Sequence, residues 1–449
     1  MARKGPSTKV PPRNGLNSEH SRRAARTAQD VDIRDALAAL EDEQHDANVA
    51  NPLSFHPFPA RMPTPLAEYL LRALIPLHAD VLDPMAGSGS TLVAARKLGH
   101  RGYGVDIDPL AVLMSRSATA SYQRQPLDKL GQRVLRRAGN IRATLRRKSV
   151  LKMLGSSEEE KQFIRYWFPE NSQRQLYCLS QAIREESDPA LRNVAWAVFS
   201  SLIIAKSTSV SYAIDIPRSR PHKDEDREID LPFDLWIRRF TQVVKRLPFL
   251  EENTEAPEPS IDQGDARYLR HAGGSLDLVL TSPPYLNAID YIRGHKFSLL
   301  WMGHGLSSLR TTRSTMIGCE RGMWKPNGLA PSMEKDLEAI DEKRIRAITR
   351  RYLSDLRYSL LEMKRVARPG GLISLVLGPC ILNREEPDSI DIARHLAKNA
   401  DLRFVAGVLR PLKRTGRSLP PPDAVSKTSD LASRMSNEAI VVLRKKKSE

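Results

Sequence analysis

The chain has 449 residues, enough for two domains or for one large domain with an insertion, and 41% of them are hydrophobic. It contains no run of 18 apolar residues and no apolar signal core at its N-terminus, so we expect neither a membrane span nor export. Its three cysteines lie far apart in sequence, which excludes a cysteine-based metal cluster or disulfide framework and indicates a reducing cytoplasm.

The net charge is +17, from 70 basic and 53 acidic residues. A polyanion is the expected partner, because each phosphate that a basic side chain neutralises releases counterions. Solubility alone is the alternative interpretation, because net charge reports on partners and not on fold. Residues 1–27 hold seven Lys or Arg and one Glu, which predicts a disordered basic arm that either contacts DNA phosphates or is simply solvated.

An acidic helix over 29–48 and an aromatic, proline-rich segment over 55–63 follow this arm. The prolines exclude a helix until Pro65, which can occupy a first helical turn. An apolar helix is therefore predicted from Pro65 to Leu77. We assign residues 1–50 to the arm and the acidic helix, and place the start of the next region at residue 51.

Residues 81–91 read Val-Leu-Asp-Pro-Met-Ala-Gly-Ser-Gly-Ser-Thr, which predicts a short strand that ends in a glycine turn. A helix and a second strand, 102–106, follow. Gly87 and Gly89 let the backbone approach a ligand closely, and Asp106 lies 17 residues past Gly89. An acid at the end of the second strand of such a unit can hold ribose hydroxyls.

Residues 121–254 are mostly helical in pattern, so they are predicted to form an insertion within an α/β fold. Within it, residues 129–148 hold eight basic residues, no acids and apolar residues near helical spacing. One face of that helix is expected to pack, while the other meets phosphate or solvent. A hydroxyl-rich loop over 207–223 ends in side chains that can contact sugar, phosphate or base edges, namely Arg218, Arg220 and His222.

A predicted apolar strand over 276–281 ends abruptly in Ser282-Pro283-Pro284-Tyr285. Consecutive prolines fix φ near about −65° and donate no hydrogen bonds, so their carbonyls stay free to accept. The serine oxygen, the carbonyl of Pro283 and the ring of Tyr285 then crowd one spot. Such a spot suits a flat ring with an exocyclic amine, since the amine donates to the two oxygens while the ring stacks on the tyrosine.

The C-terminal part begins with the polar, charged residues 305–345, which predict a mobile DNA-facing loop, or a plain surface loop, with Arg310 and Arg313 as phosphate contacts. A long helix from about 346 to 367 follows. The order of strands and helices predicts a doubly wound α/β fold with its ligand at the carboxyl ends of the strands. The last predicted strands are Leu372 to Leu377, Phe404 to Leu409 and Ala439 to Leu443.

The two motifs together resemble the DNA amino-methyltransferases, which move a methyl group from S-adenosyl-L-methionine to N4 of cytosine or N6 of adenine. The family's D-P-x-x-G-S-G-[ST]-T stretch matches Asp83 to Thr91, and its [SND]-P-P-[YFW] stretch matches Ser282 to Tyr285. Met85 departs from the family, where phenylalanine is common. The resemblance covers roughly residues 53–120 and 260–445, and it implies a Rossmann-like methyltransferase sheet with a mainly helical insertion.

The resemblance also implies how the cofactor is held. A similar H-P-[FY]-P-x-[KR] segment lies against the methionine portion of the cofactor in related enzymes, although an aromatic plug under the sheet is the alternative for this segment. A similar G-D-[AS] segment ends the third strand, and its acid meets the adenine amine. The residues expected to bind the cofactor are Phe55, His56, Pro57, Asp83, Pro84, Ala86, Gly87, Ser88, Gly89, Thr91, Asp106, Ile107, Asp265 and Ala266.

Exocyclic amines are poor nucleophiles because the lone pair is delocalised into the ring. Accepting both amine hydrogens, at the Ser282 side chain and the Pro283 carbonyl, favours a more tetrahedral nitrogen, and in-line positioning supplies much of the rate. The base must leave the duplex stack, so that it can stack on Tyr285. The predicted catalytic set is therefore Ser282, Pro283, Pro284 and Tyr285, and no metal is predicted.

A competing mechanism would use Cys380, because Pro379-Cys380 resembles the nucleophile of cytosine C5 methyltransferases. In that family the dipeptide follows the fourth strand, whereas Cys380 follows the fifth. A buried structural cysteine is the favoured interpretation, because free cysteine is among the most buried residue types.

Serine preceded by threonine resembles the N4-cytosine branch of the family, so the favoured substrate is N4 of cytosine in duplex DNA. Methylation of adenine N6, and an RNA (tRNA) amino-methyltransferase, are the alternatives; a non-catalytic DNA-binding module is a further one. The insertion 121–254 is the expected target-recognition segment, and 255–449 the target-amine half. A restriction–modification or defence context is expected, with a possible endonuclease or defence partner, in a bacterial or archaeal cytoplasm.

Overall fold

The computed structural model describes residues 28–42, 55–58, 62–145, 150, 157–205, 207–216, 221–248, 256–286, 290–319, 328–378, 389–411 and 437–447. The predicted basic arm 1–27, Arg218, Arg220 and Cys380 lie outside these residues. Within the described part of the chain, every helix falls short of the length and apolarity that a bilayer crossing requires.

A seven-stranded sheet with the order β5-β2-β1-β6-β7-β9-β8 forms the centre of the fold. All neighbouring pairs are parallel except those made by β9, which is antiparallel to both β7 and β8. A separate two-stranded hairpin joins β3 and β4. The strands are β1 Asp80–Asp83, β2 Arg101–Asp106, β3 Ala213–Ile214, β4 His222–Lys223, β5 Ser260–Gln263, β6 Leu276–Thr281, β7 Ala367–Leu377, β8 Arg403–Pro411 and β9 Asn437–Arg444.

Helices cover both faces of this sheet, so its central strands are apolar on both sides. Alternate residues of β6 show this: Leu278 packs with helices Asp30–Asp42 and Thr64–Leu74, whereas Val279 packs with helix Lys343–Val366. The predicted doubly wound α/β class is confirmed. The remaining helices are Ser90–Lys97, Pro109–Thr119, Arg124–Thr144, Glu158–Trp167, Glu170–Arg184, Pro189–Ile204, Pro232–Val244, Tyr291–Leu299, Leu306–Thr315, Pro331–Glu338 and Ser389–Asn399.

The segment 121–254 is largely helical where it is described, with only the short β3–β4 hairpin in the stretch predicted as a loop. Its helices share one apolar cluster with helices Pro109–Thr119 and Tyr291–Leu299 of the α/β fold. Trp236 of the segment and Trp301 beyond it are both fully buried in this cluster. The inserted helices therefore share a core with these two helices of the α/β fold.

Two stretches differ from the sequence predictions. Residues 305–345 were predicted as a loop, but helices Leu306–Thr315 and Pro331–Glu338 lie there. Each buries two apolar residues three or four positions apart, so a short amphipathic pattern outweighs the polar composition. Strand β7 also begins five residues earlier than predicted, because Gly370 and Gly371 continue its pairing with β9 through Lys445.

Candidate active site

Both sequence motifs lie at one edge of the sheet. Strands β1 and β6 are adjacent and parallel, with Val81 opposite Leu278, so their carboxyl ends are side by side. A cleft opens there. It is lined by Phe58, Pro84, Met85, Gly87, Asp106, Ile107, Asp108, Gly264, Asp265, Ala266, Ser282, Pro284, Tyr291, Thr315, Met316 and Ile317.

The backbone of the turn after β1 requires glycine at two positions. Gly87 and Gly89 have φ of 52° and 88°, a left-handed conformation that costs other residues energy. A Cβ on Gly89 would also lie 3.0 Å from the Cα of Ser115. The hydroxyl of Ser115 donates to the Gly87 carbonyl at 2.9 Å, which fixes the turn while Gly87 faces the cleft.

Asp106 ends β2 and lies on the cleft wall, as the sequence predicts for an acid that holds ribose. Its two carboxylate oxygens accept from the backbone N–H groups of Gly87 at 2.8 Å and Asp108 at 2.9 Å. Burial, and then the neighbouring charge of Asp108, raise the pKa of Asp106 to about 7. Each oxygen keeps a lone pair that can accept from a ligand hydroxyl.

Asp83 connects the two motifs behind the cleft. Its Oδ1 accepts from the hydroxyl of Thr281 at 2.7 Å and from the backbone N–H of Met85 at 3.1 Å. Thr281 directly precedes Ser282, so this bond joins the start of the glycine turn to the start of the Ser-Pro-Pro-Tyr tip. Burial raises the pKa of Asp83, and the hydroxyl and N–H partners oppose that shift.

Ser282 and Pro284 face the cleft, whereas Pro283 is buried and the ring of Tyr285 turns elsewhere. The hydroxyl of Ser282 donates to the carbonyl of Val376 at 3.1 Å, and a hydroxyl that donates can also accept from an incoming donor. The Tyr285 ring lies on Gly378, where an added Cβ would come within 2.1 Å of the ring.

The hydroxyl of Tyr285 donates to Glu438 at 3.4 Å. Glu438 in turn accepts from the Nε of Arg410 at 2.9 Å, and both charged side chains are buried. Burial, and then the charge of Glu438, raise the pKa of Tyr285. The tyrosine is therefore held from β8 and β9 as well as from its own loop.

Two cleft residues that the sequence did not single out, Phe58 and Tyr291, form a layered group with His295, which lies outside the cleft lining. The ring of Phe58 stacks on Tyr291 with centroids 5.7 Å apart and an interplanar angle of 21°. The ring of His295 lies 5.2 Å from Phe58, and its Nδ1 contacts Oδ2 of the buried Asp108 at 2.5 Å. Asp108 precedes a proline at a helix start, which is a capping signal, but the ring stacking has no local sequence signal.

The aromatic segment before the first strand reaches the cleft through Phe58. Phe55 and His56 are buried, and His56 Nε2 contacts the hydroxyl of Ser200 at 3.0 Å. The hydroxyl of Ser200 also donates to the hydroxyl of Ser298 at 2.9 Å. These hydrogen bonds connect the aromatic segment, the insertion and helix Tyr291–Leu299. The predicted cofactor residues outside the cleft lining are Phe55, His56, Pro57, Asp83, Ala86, Ser88, Gly89 and Thr91.

Asp265 and Ala266 lie on the cleft wall as the sequence predicts. The carboxylate of Asp265 also accepts from Arg267, at 2.6 Å from one guanidinium nitrogen and 3.0 Å from Nε. Arg267 reaches on to the buried Asp355. Despite burial, these two acids raise the pKa of Arg267, so the charge of Asp265 has a fixed counterion.

Two of the predicted DNA contacts are engaged in ion pairs. Arg310 pairs with Glu159 at 2.9 Å, and Arg313 with Asp290 at 2.6 Å. His222 is exposed on β4. Within the described residues, His, Cys, Asp and Glu side chains form no group of three or more that could hold a metal ion.

The cleft fits a cationic nucleoside. The carboxyl groups of Asp106, Asp108 and Asp265 lie on its walls, and so do the aromatic rings of Phe58 and Tyr291, a residue type that attracts cations. The absence of a Cβ on Gly87 lets the backbone approach a ligand. These features suit the sulfonium, ribose and adenine of S-adenosyl-L-methionine.

Comparison with known proteins agrees with this geometry. Residues 8–116 match the N6/N4-type family model described as DNA methylase. The chain is 24% identical over 259 residues to the Type II methyltransferase M.MvaI of Kocuria varians, covering 55% of this chain and 56% of that protein. It is 45% identical over 49 residues to the Type II methyltransferase M.SfiI of Streptomyces fimbriatus, 11% of this chain and 12% of that one.

Among solved structures, a SAM-dependent methyltransferase from Methanosarcina mazei aligns over 83% of this chain and 95% of its own, with 8% identity and a TM-score of 0.31. The chain spans little more than half the length of M.MvaI, and far less of M.SfiI. The family and relative matches confirm the resemblance to N4/N6-type DNA amino-methyltransferases that the sequence predicts, and they support its cofactor, S-adenosyl-L-methionine.

Proposed function

We propose that this chain, whose residues 8–116 match the N6/N4 DNA methylase family, methylates the exocyclic N4 of cytosine in duplex DNA. One observation carries the proposal: Ser282 and Gly87 line the same cleft at the ends of adjacent strands. An amine held at Ser282 and a methyl donor held at the glycine turn would meet there.

The positions of the cleft residues suggest a role for each of them in binding and transfer. S-adenosyl-L-methionine supplies, when bound, a methyl group on a cationic sulfur. Asp106 would accept from the ribose hydroxyls, and the faces of Phe58 and Tyr291 would contact the cation. The Ser282 oxygen would accept one of the two amine hydrogens. The Pro283 carbonyl, predicted to accept the other, belongs to a buried residue outside the cleft lining. A new nitrogen–carbon bond then forms as the carbon–sulfur bond breaks, and the nitrogen loses a proton to water.

Ser282 also supports the choice of cytosine. The Ser282 hydroxyl donates to the carbonyl of Val376, and its oxygen can also accept a hydrogen bond. Unlike an aspartate at this position, it carries no negative charge. Aspartate or asparagine is usual at this position in the adenine branch that the sequence resembles less. Both amines could donate to a serine oxygen, so N6 of adenine is the second candidate. The printed names of the relatives, Type II methyltransferases, suggest a restriction–modification role with a partner endonuclease.

The test is to express the chain in a bacterial host whose DNA carries neither N4-methylcytosine nor N6-methyladenine. Mass spectrometry of the hydrolysed DNA should then find N4-methylcytosine, and sequencing should place it in one short motif. N6-methyladenine alone would replace the favoured substrate by the second candidate. Methylation of transfer RNA but not of duplex DNA in vitro would reject the DNA assignment.

A further inference from the structure

Two helices that flank the cleft carry a cluster of basic side chains. Helix Tyr291–Leu299 begins at the cleft residue Tyr291, and helix Leu306–Thr315 ends at the cleft residue Thr315. Between them they present four cations, which we call the basic rim: Arg293, Lys296, Arg310 and Arg313.

Acidic partners neutralise only part of this rim. Arg293 and Arg313 share one carboxylate, that of Asp290, at 3.0 and 2.5 Å. Arg310 pairs with Glu159, and both of these side chains are more than half exposed. Glu160 also interacts with the charge of Arg310, so four cations face three acids, which leaves a local excess of positive charge.

Lys296 experiences that excess directly. Burial lowers the pKa of Lys296 most, and repulsion by the charge of Arg313 lowers it further. The charges of Arg293 and Arg310 act in the same direction, whereas the charge of Asp290 opposes the shift. Among the described residues Lys296 forms no ion pair with an acid. Its Nζ lies instead 5.2 Å from the ring centre of Phe163 in the insertion. A bound phosphate would relieve this repulsion.

The surface continues onto the insertion. The ring of Tyr166 is 52% exposed, and the Nζ of Lys223 lies 4.3 Å from its centre. Tyr166 packs edge-to-face on Trp167, which packs in the same way on Phe297 of the helix after the tip. An unbroken series of ring contacts thus fixes this exposed aromatic and its lysine beside the basic rim.

We propose that the basic rim, together with Tyr166 and Lys223, is the surface on which the sugar–phosphate backbone of duplex DNA docks beside the cleft. The inference rests on the proposed function, and it adds where the substrate binds. Phosphates prefer arginine and lysine clusters, and exposed aromatic rings beside them offer contact area to sugars and bases. Helix Tyr291–Leu299 follows the Ser-Pro-Pro-Tyr tip in sequence, so backbone contacts there would position the nucleotide that enters the cleft.

The test is a salt series of binding to a labelled duplex oligonucleotide, with the full-length protein and the double variant Lys296→Gln/Arg310→Gln. Each lost phosphate contact should lower the slope of log Kd against log salt by about one, and weaken binding more at low salt than at high salt. Cofactor affinity, measured by calorimetry, should stay at the wild-type value because neither side chain lines the cleft.

Arg394→Gln is the matched control. Arg394 is 54% exposed, pairs with Asp391 and lies 4.6 Å from the ring centre of Phe404, so it resembles the rim residues chemically. It lies on helix Ser389–Asn399, which packs on β8 and β9. An unchanged slope in the double variant, or an equal loss in the control, overturns the docking surface. If wild-type protein methylates no duplex DNA, the proposed function fails first, and the docking surface fails with it.

Discussion

The hydroxyl of Ser282 is the acceptor whose removal should be most informative. It donates to Val376 and faces the cleft, so it can stabilise an amine without touching the glycine turn. Ser282→Ala should lower the single-turnover rate of methyl transfer on the order of 100-fold, as when a preorganised transition-state contact is lost. Cofactor affinity by calorimetry should stay nearly intact.

Ser275→Ala is the control for that change. Ser275 precedes the other end of β6 and donates to a backbone carbonyl, that of Ala272, at 2.8 Å. Its removal should leave the transfer rate unchanged. Equal loss of cofactor binding and transfer in Ser282→Ala would show that the amine site has been misassigned.

Asp106 should make cofactor binding depend on pH. Its pKa of about 7 lies above that of an ordinary aspartate, so the carboxylate is half protonated near neutrality. Only the ionised form attracts a cationic ligand and accepts from ribose with full strength. Affinity for S-adenosyl-L-methionine should therefore rise as pH increases from about 6 to 8.

The variant Asp106→Asn tests the same group. It should weaken cofactor binding roughly 10-fold or more, as expected for losing a hydrogen bond to a charged group, and remove most of the pH dependence. The transfer rate at saturating cofactor should change less than the affinity. A pH dependence that survives in Asp106→Asn would assign it to another residue.

At the scale of elements, the bond between Thr281 and Asp83 joins strand β6 to the turn after β1. Thr281→Val keeps the shape but removes the donor, which leaves a buried carboxylate with one partner fewer. We expect a loss of about 1–3 kcal/mol in the free energy of unfolding. Cofactor affinity and transfer rate should both fall, because both motifs depend on this bond.

Thr281→Ser is the matched control, since it retains the hydroxyl. Urea unfolding and methyl-transfer assays on both variants should show the serine variant close to wild type. If the serine variant is perturbed and the valine variant is not, packing of the threonine methyl group matters and the hydrogen bond does not.

The elements also explain which parts of the site could be predicted. Strand β6 and the glycine turn follow from local patterns, an apolar run and glycines at fixed spacing, so their bounds were predicted within a residue or two. The bond from Thr281 to Asp83 spans nearly two hundred residues, and the stack of Phe58 on Tyr291 more still. Such contacts depend on strand order and helix packing, which a short sequence window does not contain.

The helix Leu306–Thr315 was missed for a related reason. Its buried residues, Leu306 and Leu309, are few, and its other side chains are polar or charged. Helix Leu306–Thr315 is stabilised by packing beside helix Tyr291–Leu299, which is a tertiary contact. Composition alone therefore suggested a loop.

At the scale of the whole molecule, the inserted helices and the α/β fold share a core. Helix Pro189–Ile204 packs on both Pro109–Thr119, which follows Asp106, and Tyr291–Leu299, which follows the tip. The insertion therefore supports both halves of the proposed site. We expect the two regions to unfold together, as one cooperative unit.

Leu202→Ala in that helix tests this expectation. Leu202 is fully buried, so its truncation should cost about 2–5 kcal/mol. If the core is shared, the urea midpoint followed by far-UV circular dichroism and the midpoint followed by cofactor binding should fall by the same amount. Leu77→Ala, at a leucine that is 67% exposed, should shift neither midpoint. A cofactor-binding midpoint that stays at the wild-type value while the other falls would mean that the insertion folds as an independent domain.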